Sequence, residues 1–294
     1  MPRPPRAALA VAALLCCTLT ACGGNGTAEP NRTAPVSPKA SAPAAATPSA
    51  ISVTSAPTLP PGPGGAAPLF SHGRRDGGKK VALTFDADMT SDQGPRAARG
   101  EHFDNPALIE TLRRLKVPAT VFMTGRWAEQ YPDQARSIGT DPLFELANHS
   151  YSHHAFATPC YKLPAVPRGE ARAEVERAFT AFRRAGAERI VPYFRFPGGC
   201  HDDAVLREIG PAKVTAVQWD VVSGDAFAQQ AAPVAAQVIS QVKPGSVVVM
   251  HCTRSAAPTT EEAVRRIVPE LRAKGYAFVR VSDLVGAAAR GSGG

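Results

Sequence analysis

The sequence predicts an α/β domain of parallel strands joined by crossover helices. Three observations carry this expectation. From Lys80 onward, short apolar runs alternate with longer amphipathic segments, the pattern that repeated strand and helix units leave in a chain. The alternation continues for about 210 residues, which is ample for one sizeable core. Polar residues able to do chemistry recur at the ends of successive apolar runs, where the loops of a parallel sheet meet at one mouth.

Taken in order, Val81-Ala82-Leu83-Thr84-Phe85 predicts the first strand, 81–85, and the amphipathic segment 106–116 a helix after it. The run 119–123 predicts a second strand, followed by a helix over 127–137. Strands over 144–147 and 192–195 flank a long helix expected at 170–184. A short helix at 203–209 leads to a strand over 214–218, and a helix at 232–242 leads to the valine-rich strand 247–250. A helix over 261–274 and a strand over 277–281 complete the alternation, and no internal repeat is present.

Outside this domain the chain changes character. Arg3 and Arg6 precede an apolar run from Ala7 to Leu19, too short to span a bilayer, and then Leu19-Thr20-Ala21-Cys22. Those last four residues resemble the lipobox of bacterial lipoproteins, whose signal is cut just before a cysteine that carries a diacylglycerol. The resemblance implies a signal over 1–22, lipidation of Cys22 and a location on the outer face of the cell membrane, anchored without insertion. The alternative is an ordinary signal peptide cut elsewhere. Residues 23–72, rich in Ala, Pro, Ser and Thr, read as a disordered tether, 73–288 as the folded domain and 289–294 as a frayed tail.

The formal net charge of +8 does not mark a nucleic-acid binder. Two of these charges lie in 1–22 and four in 23–80, which leaves +2 for 81–294, and no basic stripe is interleaved with aromatics. A monomer is expected. Without the signal, and with Cys22 acylated, Cys160, Cys200 and Cys252 remain, and one disulfide among three possible pairings is expected near the rim of the site.

The polar residues fall at the strand ends. Asp86 and Asp88 follow the first strand, His149 and His153 the third, Arg195 ends the fourth, Asp220 and Asp225 follow the fifth, and His251 ends the sixth. Two imidazoles four positions apart can aim at one metal ion if the segment turns like a helix, and a nearby carboxylate completes a three-ligand site with one open position. That is the layout of a hydrolytic metal centre.

Five motifs occur in order: Thr84-Phe85-Asp86-Ala87-Asp88, His149-Ser150-Tyr151-Ser152-His153, Arg195-Phe196-Pro197-Gly198-Gly199, Trp219-Asp220-Val221-Val222-Ser223-Gly224-Asp225 and Val249-Met250-His251. Together they resemble polysaccharide deacetylases, the carbohydrate esterases of family 4 that share a NodB homology domain. The resemblance covers roughly 81–284 and implies a distorted (β/α) barrel of seven strands. It further implies metal-dependent removal of N-acetyl groups from amino sugars of a cell-wall or related polysaccharide, peptidoglycan or chitin-like. A divalent ion, Zn²⁺ in the first place, would be held by Asp88, His149 and His153. Asp86 would be the general base, Arg195 its partner, the Gly198 N–H an oxyanion donor and His251 the general acid. Ser150 would brace its loop, and Trp219 would be either a sugar platform or core.

The sequence departs from the family pattern at three places. Ala87 stands at the usual position of the metal-binding aspartate, with Asp88 one step on. Gly198 and Gly199 replace the aromatic that usually follows Arg-x-Pro, which implies a wider or different pocket. Val222 stands where an aspartate normally pairs with the general acid, so Asp225 or Asp220 would have to substitute. These departures keep two other functions open: an O-acetyl esterase on a xylan-like polymer, and a catalytically silent glycan-binding lipoprotein.

Overall fold

In the computed structural model, which describes residues 56–291, each of the seven expected apolar runs is a strand. The strands are β1 (Leu69–Phe70), β2 (Lys80–Ala87), β3 (Ala119–Met123), β4 (Phe144–Asn148), β5 (Ile190–Phe194), β6 (Thr215–Val217), β7 (Val221–Val222), β8 (Ser246–His251) and β9 (Ala277–Phe278). The helices are α1 (Gln93–Ala97), α2 (Pro106–Arg114), α3 (Gly125–Gln130), α4 (Pro132–Thr140), α5 (Ala171–Arg184), α6 (Asp203–Ile209), α7 (Ala231–Gln241), α8 (Thr260–Ala273) and α9 (Val281–Gly291). All strand pairings are parallel, in the order β1-β6-β5-β4-β3-β2-β8-β7, with β9 beside the start of β2. The curled parallel sheet with flanking helices is a distorted (β/α) barrel.

Alternation along the strands builds two cores. On β2, Val81, Leu83 and Phe85 pack outward against helix residues such as Leu108, Leu112, Val264 and Ile267. The intervening Ala82 packs inward with Phe122, Ala147, Tyr193, Val217 and Val247. Helix α9 closes this interior with Val281, Leu284 and Val285. Its first turn docks by Val281 N donating to Thr120 Oγ1 at 3.0 Å and Ser282 N to Glu145 Oε1 at 3.1 Å. Thr120 and Glu145 are second in their strands, so α9 plugs the N-terminal half and leaves the C-terminal rim for other work.

Four expectations are corrected. The sheet has two strands more than the seven implied, because β1 and β7 are two-residue edges too short to leave a periodicity. The helix expected over 127–137 is two helices: Pro132 has no N–H to continue the ladder after Gln130 and starts α4 instead. The strand expected over 277–281 is only two residues long, and α9 runs through the expected start of the tail to Gly291. The last part of the expected tether, 56–72, lies on the domain. Phe70 is buried and pairs with Val217, Tyr193 Oη donates to Pro57 O at 2.7 Å, and Leu59 N donates to Thr215 Oγ1 at 3.3 Å. Composition marked this stretch as tether, yet one aromatic anchor and the open edge of β6 are enough to dock it.

A chain starting at Gly73 is therefore expected to be less stable than one starting at Ala56 by about 3 kcal/mol, from Phe70 burial and the lost hydrogen bonds. Denaturant unfolding of the two chains measures this. The signal over 1–22 with Cys22, the tether over 23–55 and residues 292–294 lie outside the described residues.

Candidate active site

The C-terminal ends of β2, β4, β5 and β8 converge on one rim. Asp86 is the last inward-facing residue of β2, in register with Phe122 and His251, so the strand itself aims its carboxylate into the mouth. Arg195 directly follows β5 and is fully buried. Its Nη1 donates to Asp86 Oδ1 at 2.7 Å, its Nε to Val217 O at 3.2 Å, and its guanidinium lies 3.9 Å above the Phe122 ring. A buried guanidinium held on three sides in this way fixes one carboxylate oxygen and leaves Oδ2 of Asp86 facing the mouth.

The histidine motif is not helical. His149 follows β4, Ser150 has φ +68° and His153 has φ +59°, so a tight loop brings the rings to 5.0 Å between centroids. Ser150 Oγ accepts from His153 N at 3.0 Å, and Glu174 of α5 accepts from Ser152 N at 2.9 Å and from Ser152 Oγ at 2.8 Å, which holds the loop. His149 Nδ1 contacts Arg195 O at 3.0 Å, which places the proton there and leaves Nε2 as a lone pair, 3.7 Å from Asp86 Oδ2. His153 Nε2 lies 3.9 Å from Asp88 Oδ2. Burial lowers the pKa of both imidazoles, that of His153 to about 4, so both are neutral at ordinary pH.

Asp88 stands one residue past β2. Burial favours its protonated form, but His153, His251 and the Thr253 hydroxyl together hold its carboxyl below the usual range. Thr253 Oγ1 donates to Asp88 Oδ1. Two neutral imidazoles beside an ionised carboxylate are the donor types a divalent cation takes. The donors fit in kind; among the described residues, no three His, Cys, Asp or Glu side chains lie close enough to define a metal centre by themselves.

The fifth motif forms a dyad with the fourth. Asp225 Oδ1 is 2.8 Å from His251 Nδ1, and Asp225 Oδ2 accepts from His251 N at 2.7 Å and from Thr260 Oγ1 at 2.7 Å. Ser223 Oγ donates to Asp225 Oδ1 at 2.9 Å. Burial opposes a charge on His251, yet the Asp225 hydrogen bond and charge lift its pKa to about 9. The same contacts bring the buried Asp225 below the usual carboxylate range. Asp225 thus makes the pairing with His251 that Val222 cannot.

Asp220 does not join them. It accepts from Val247 N at 2.7 Å and Ser246 Oγ at 2.9 Å, both at the start of β8 and thus at the opposite end of that strand from His251, and from Arg75 Nη2 at 2.7 Å, in the segment between β1 and β2. The expectation of both aspartates on the rim fails because the chain descends between β6 and β7 before rising again.

Gly198 sits in a turn with φ +64°, and of the two alternatives expected beside it, a wider or a different pocket, the wider one is not formed. Cys160 and Cys200 form a disulfide, Cys252 is free and buried, and the space a side chain at 198 would take is filled. A Cβ there would lie 2.7 Å from Cys160 Sγ and 2.9 Å from Tyr161 Cδ2. Trp219 is half-buried, its ring under Gly199, where a Cβ would meet it at 2.6 Å, and 5.4 Å from the Arg195 guanidinium. Thr253, Thr260 and Glu174 escaped the sequence reading, since single Thr and Glu residues carry no spacing that marks them.

A parallel barrel with buried acid–base pairs on its C-terminal rim is the frame of a barrel enzyme. Residues 73–217 match the sequence model of the polysaccharide deacetylase family. The chain is 28% identical over 210 residues to a chitooligosaccharide deacetylase of Sinorhizobium fredii, covering 68% of this chain and 89% of that one. It is 27% identical to a peptidoglycan-N-acetylglucosamine deacetylase of Bacillus cereus, covering 70% of this chain and 68% of the relative. Among solved structures it superposes with TM-score 0.61 and 25% identity on a mutant of a family 4 carbohydrate esterase pseudoenzyme with restored enzymatic activity, over 74% of this chain and 71% of that one.

Proposed function

We propose that this chain is a hydrolase that removes N-acetyl groups from an amino-sugar polymer, peptidoglycan or chitin-like. The reading is carried by one observation: a charge-paired carboxylate, Asp86 with Arg195, and a carboxylate-paired imidazole, His251 with Asp225, end adjacent strands at the same register. These are a base and an acid facing one space. The relatives' activities support the polymer class.

In this reading water adds to the acetyl carbonyl, the C–N bond breaks, and acetate and a free amine leave. Asp86 takes the water's proton on Oδ2 while Arg195 holds Oδ1. The Gly198 N–H receives the developing oxyanion, and His251, protonated through Asp225, delivers a proton to the leaving nitrogen. A divalent cation, with zinc as the candidate, would be held by His149, His153 and Asp88 and when bound supplies Lewis-acid polarisation of the acetyl carbonyl. We further propose export and lipid anchoring through Cys22, as its lipobox-like context suggests; recovery of Cys22→Ala in the membrane fraction at the level of the unaltered chain would overturn it.

The test is acetate release from peptidoglycan, chitin oligomers and acetylated xylan side by side, before and after metal stripping and zinc return. Metal-dependent acetate from the amide substrates is expected. Acetate from xylan alone would move the reading to an O-acetyl esterase, and none from a folded, zinc-loaded chain would leave a silent glycan binder.

A further inference from the structure

We propose that Tyr161 is a glycan-stacking residue that supplies, from the loop between β4 and α5, the aromatic wall that position 198 does not carry. The inference rests on the deacetylase reading above and narrows it to how the polymer is held beside the oxyanion donor.

The two most exposed large apolar side chains among the described residues are Tyr161, at 83%, and Phe227, at 79%, and both ride loops that follow strand ends at the rim. Scattered surface apolar groups need no explanation, but aromatics so exposed at the mouth of a site have ligand contact as their natural use. The Tyr161 ring lies against the Gly198 turn, in the volume that a side chain at 198 would need. Gly198 and Tyr161 are thus complementary: the glycine lets the loop approach, and the loop brings the ring.

The backbone singles out the same residue. Tyr161 and Lys162 have φ +45° and +64° and are the two middle residues of a turn closed by Leu163 N donating to Cys160 O at 2.8 Å. Such a turn favours Asn and Gly, so a tyrosine here adopts an unfavourable conformation while its ring stays in solvent and gains almost no burial. Strain of that kind persists where the surroundings over-determine it, and here they do. The Cys160–Cys200 disulfide ties the start of the turn to the end of the Gly198 turn, and Ala155 N donating to Pro164 O and Val166 N donating to Ala155 O, each at 2.8 Å, close the loop's base. A flat ring with a polar tip, fixed beside the reacting centre, matches the C–H face of a pyranose.

The test compares the full chain with Tyr161→Ala and Tyr161→Phe. Calorimetric titration with N-acetylglucosamine oligomers gives Kd, and acetate release gives KM and kcat. In Tyr161→Ala, Kd and KM are expected to rise about tenfold with kcat nearly unchanged, and in Tyr161→Phe both stay at the wild-type value. Turnover of a small acetyl ester, which has no second sugar to stack, is unchanged. Cys160→Ser with Cys200→Ser raises KM in the same direction, and adding Tyr161→Ala to that pair adds little, because the disulfide acts through the ring. A Kd for Tyr161→Ala equal to wild type overturns the proposal even where acetate release is normal, as does a wild type that binds no oligomer. Absence of acetate from every substrate overturns the deacetylase reading instead, and the Kd comparison still decides the stacking.

Discussion

Asp86→Asn is expected to reduce acetate release by about 10²- to 10⁴-fold, the contribution of a positioned general base. The substitution keeps an oxygen for the Arg195 Nη1 bond now made at 2.7 Å but removes the charge and the proton-accepting oxygen that faces His149. It also leaves a fully buried guanidinium with no anionic partner, which costs about 3 kcal/mol of stability when a buried ion pair is broken on one side. The two effects separate by experiment, because an unfolding curve reads the second and kcat on the folded fraction reads the first. Metal content supplies a third axis: Asp86→Asn is expected to retain the cation and lose turnover, whereas His149→Ala is expected to lose both, since its Nε2 is one of the proposed donors. Asp86→Asn with normal kcat would remove the base assignment and, with it, the main support for a hydrolytic reading.

What could be read from the sequence follows how local the cause is. β3 matches its expected bounds, and α6 does as well, with Asp202 accepting from Val205 N at its start, because a run of apolar residues and a short helix with its cap are determined by their own neighbours. Asp86, Arg195 and His251 were legible because parallel strands put their C-terminal ends on one rim whatever the details. Three features were not legible for the opposite reason. Asp220 was placed on the rim by counting residues past a strand, but the turn between β6 and β7 carries it down to the start of β8. The partner of His251 remained open between two aspartates, and it took the chain's return along β8 to bring Asp225 within 2.8 Å. The wall beside Gly198 is made by a disulfide between cysteines 40 positions apart, and no periodicity encodes that pairing.

Asp225→Asn is expected to move the alkaline limb of the rate profile toward acid. With Asp225 in place the His251 imidazolium has a pKa of about 9, so the proton needed by the leaving nitrogen is present through neutral pH and is lost as pH rises through 9. Removing the charge takes away the dominant support for the cation and leaves burial opposed only by the Asp88 and Asp86 charges, which brings the histidine back toward its ordinary value near 6.5. At pH 8 the protonated fraction then falls from about nine-tenths to about one-thirtieth, a loss of about 30-fold in rate, while at pH 5.5 the two enzymes differ little. Stability shifts in the same sense. A folded-state pKa raised above the unfolded value contributes stability that is fully present below about pH 6.5 and fades as pH climbs through 9, so the native chain loses stability across that window and the variant does not. Rate and unfolding profiles taken from pH 5 to 10 measure both. Coincident alkaline limbs for the two proteins would show that His251 does not deliver the proton, and would turn attention to a solvent donor at the same rim.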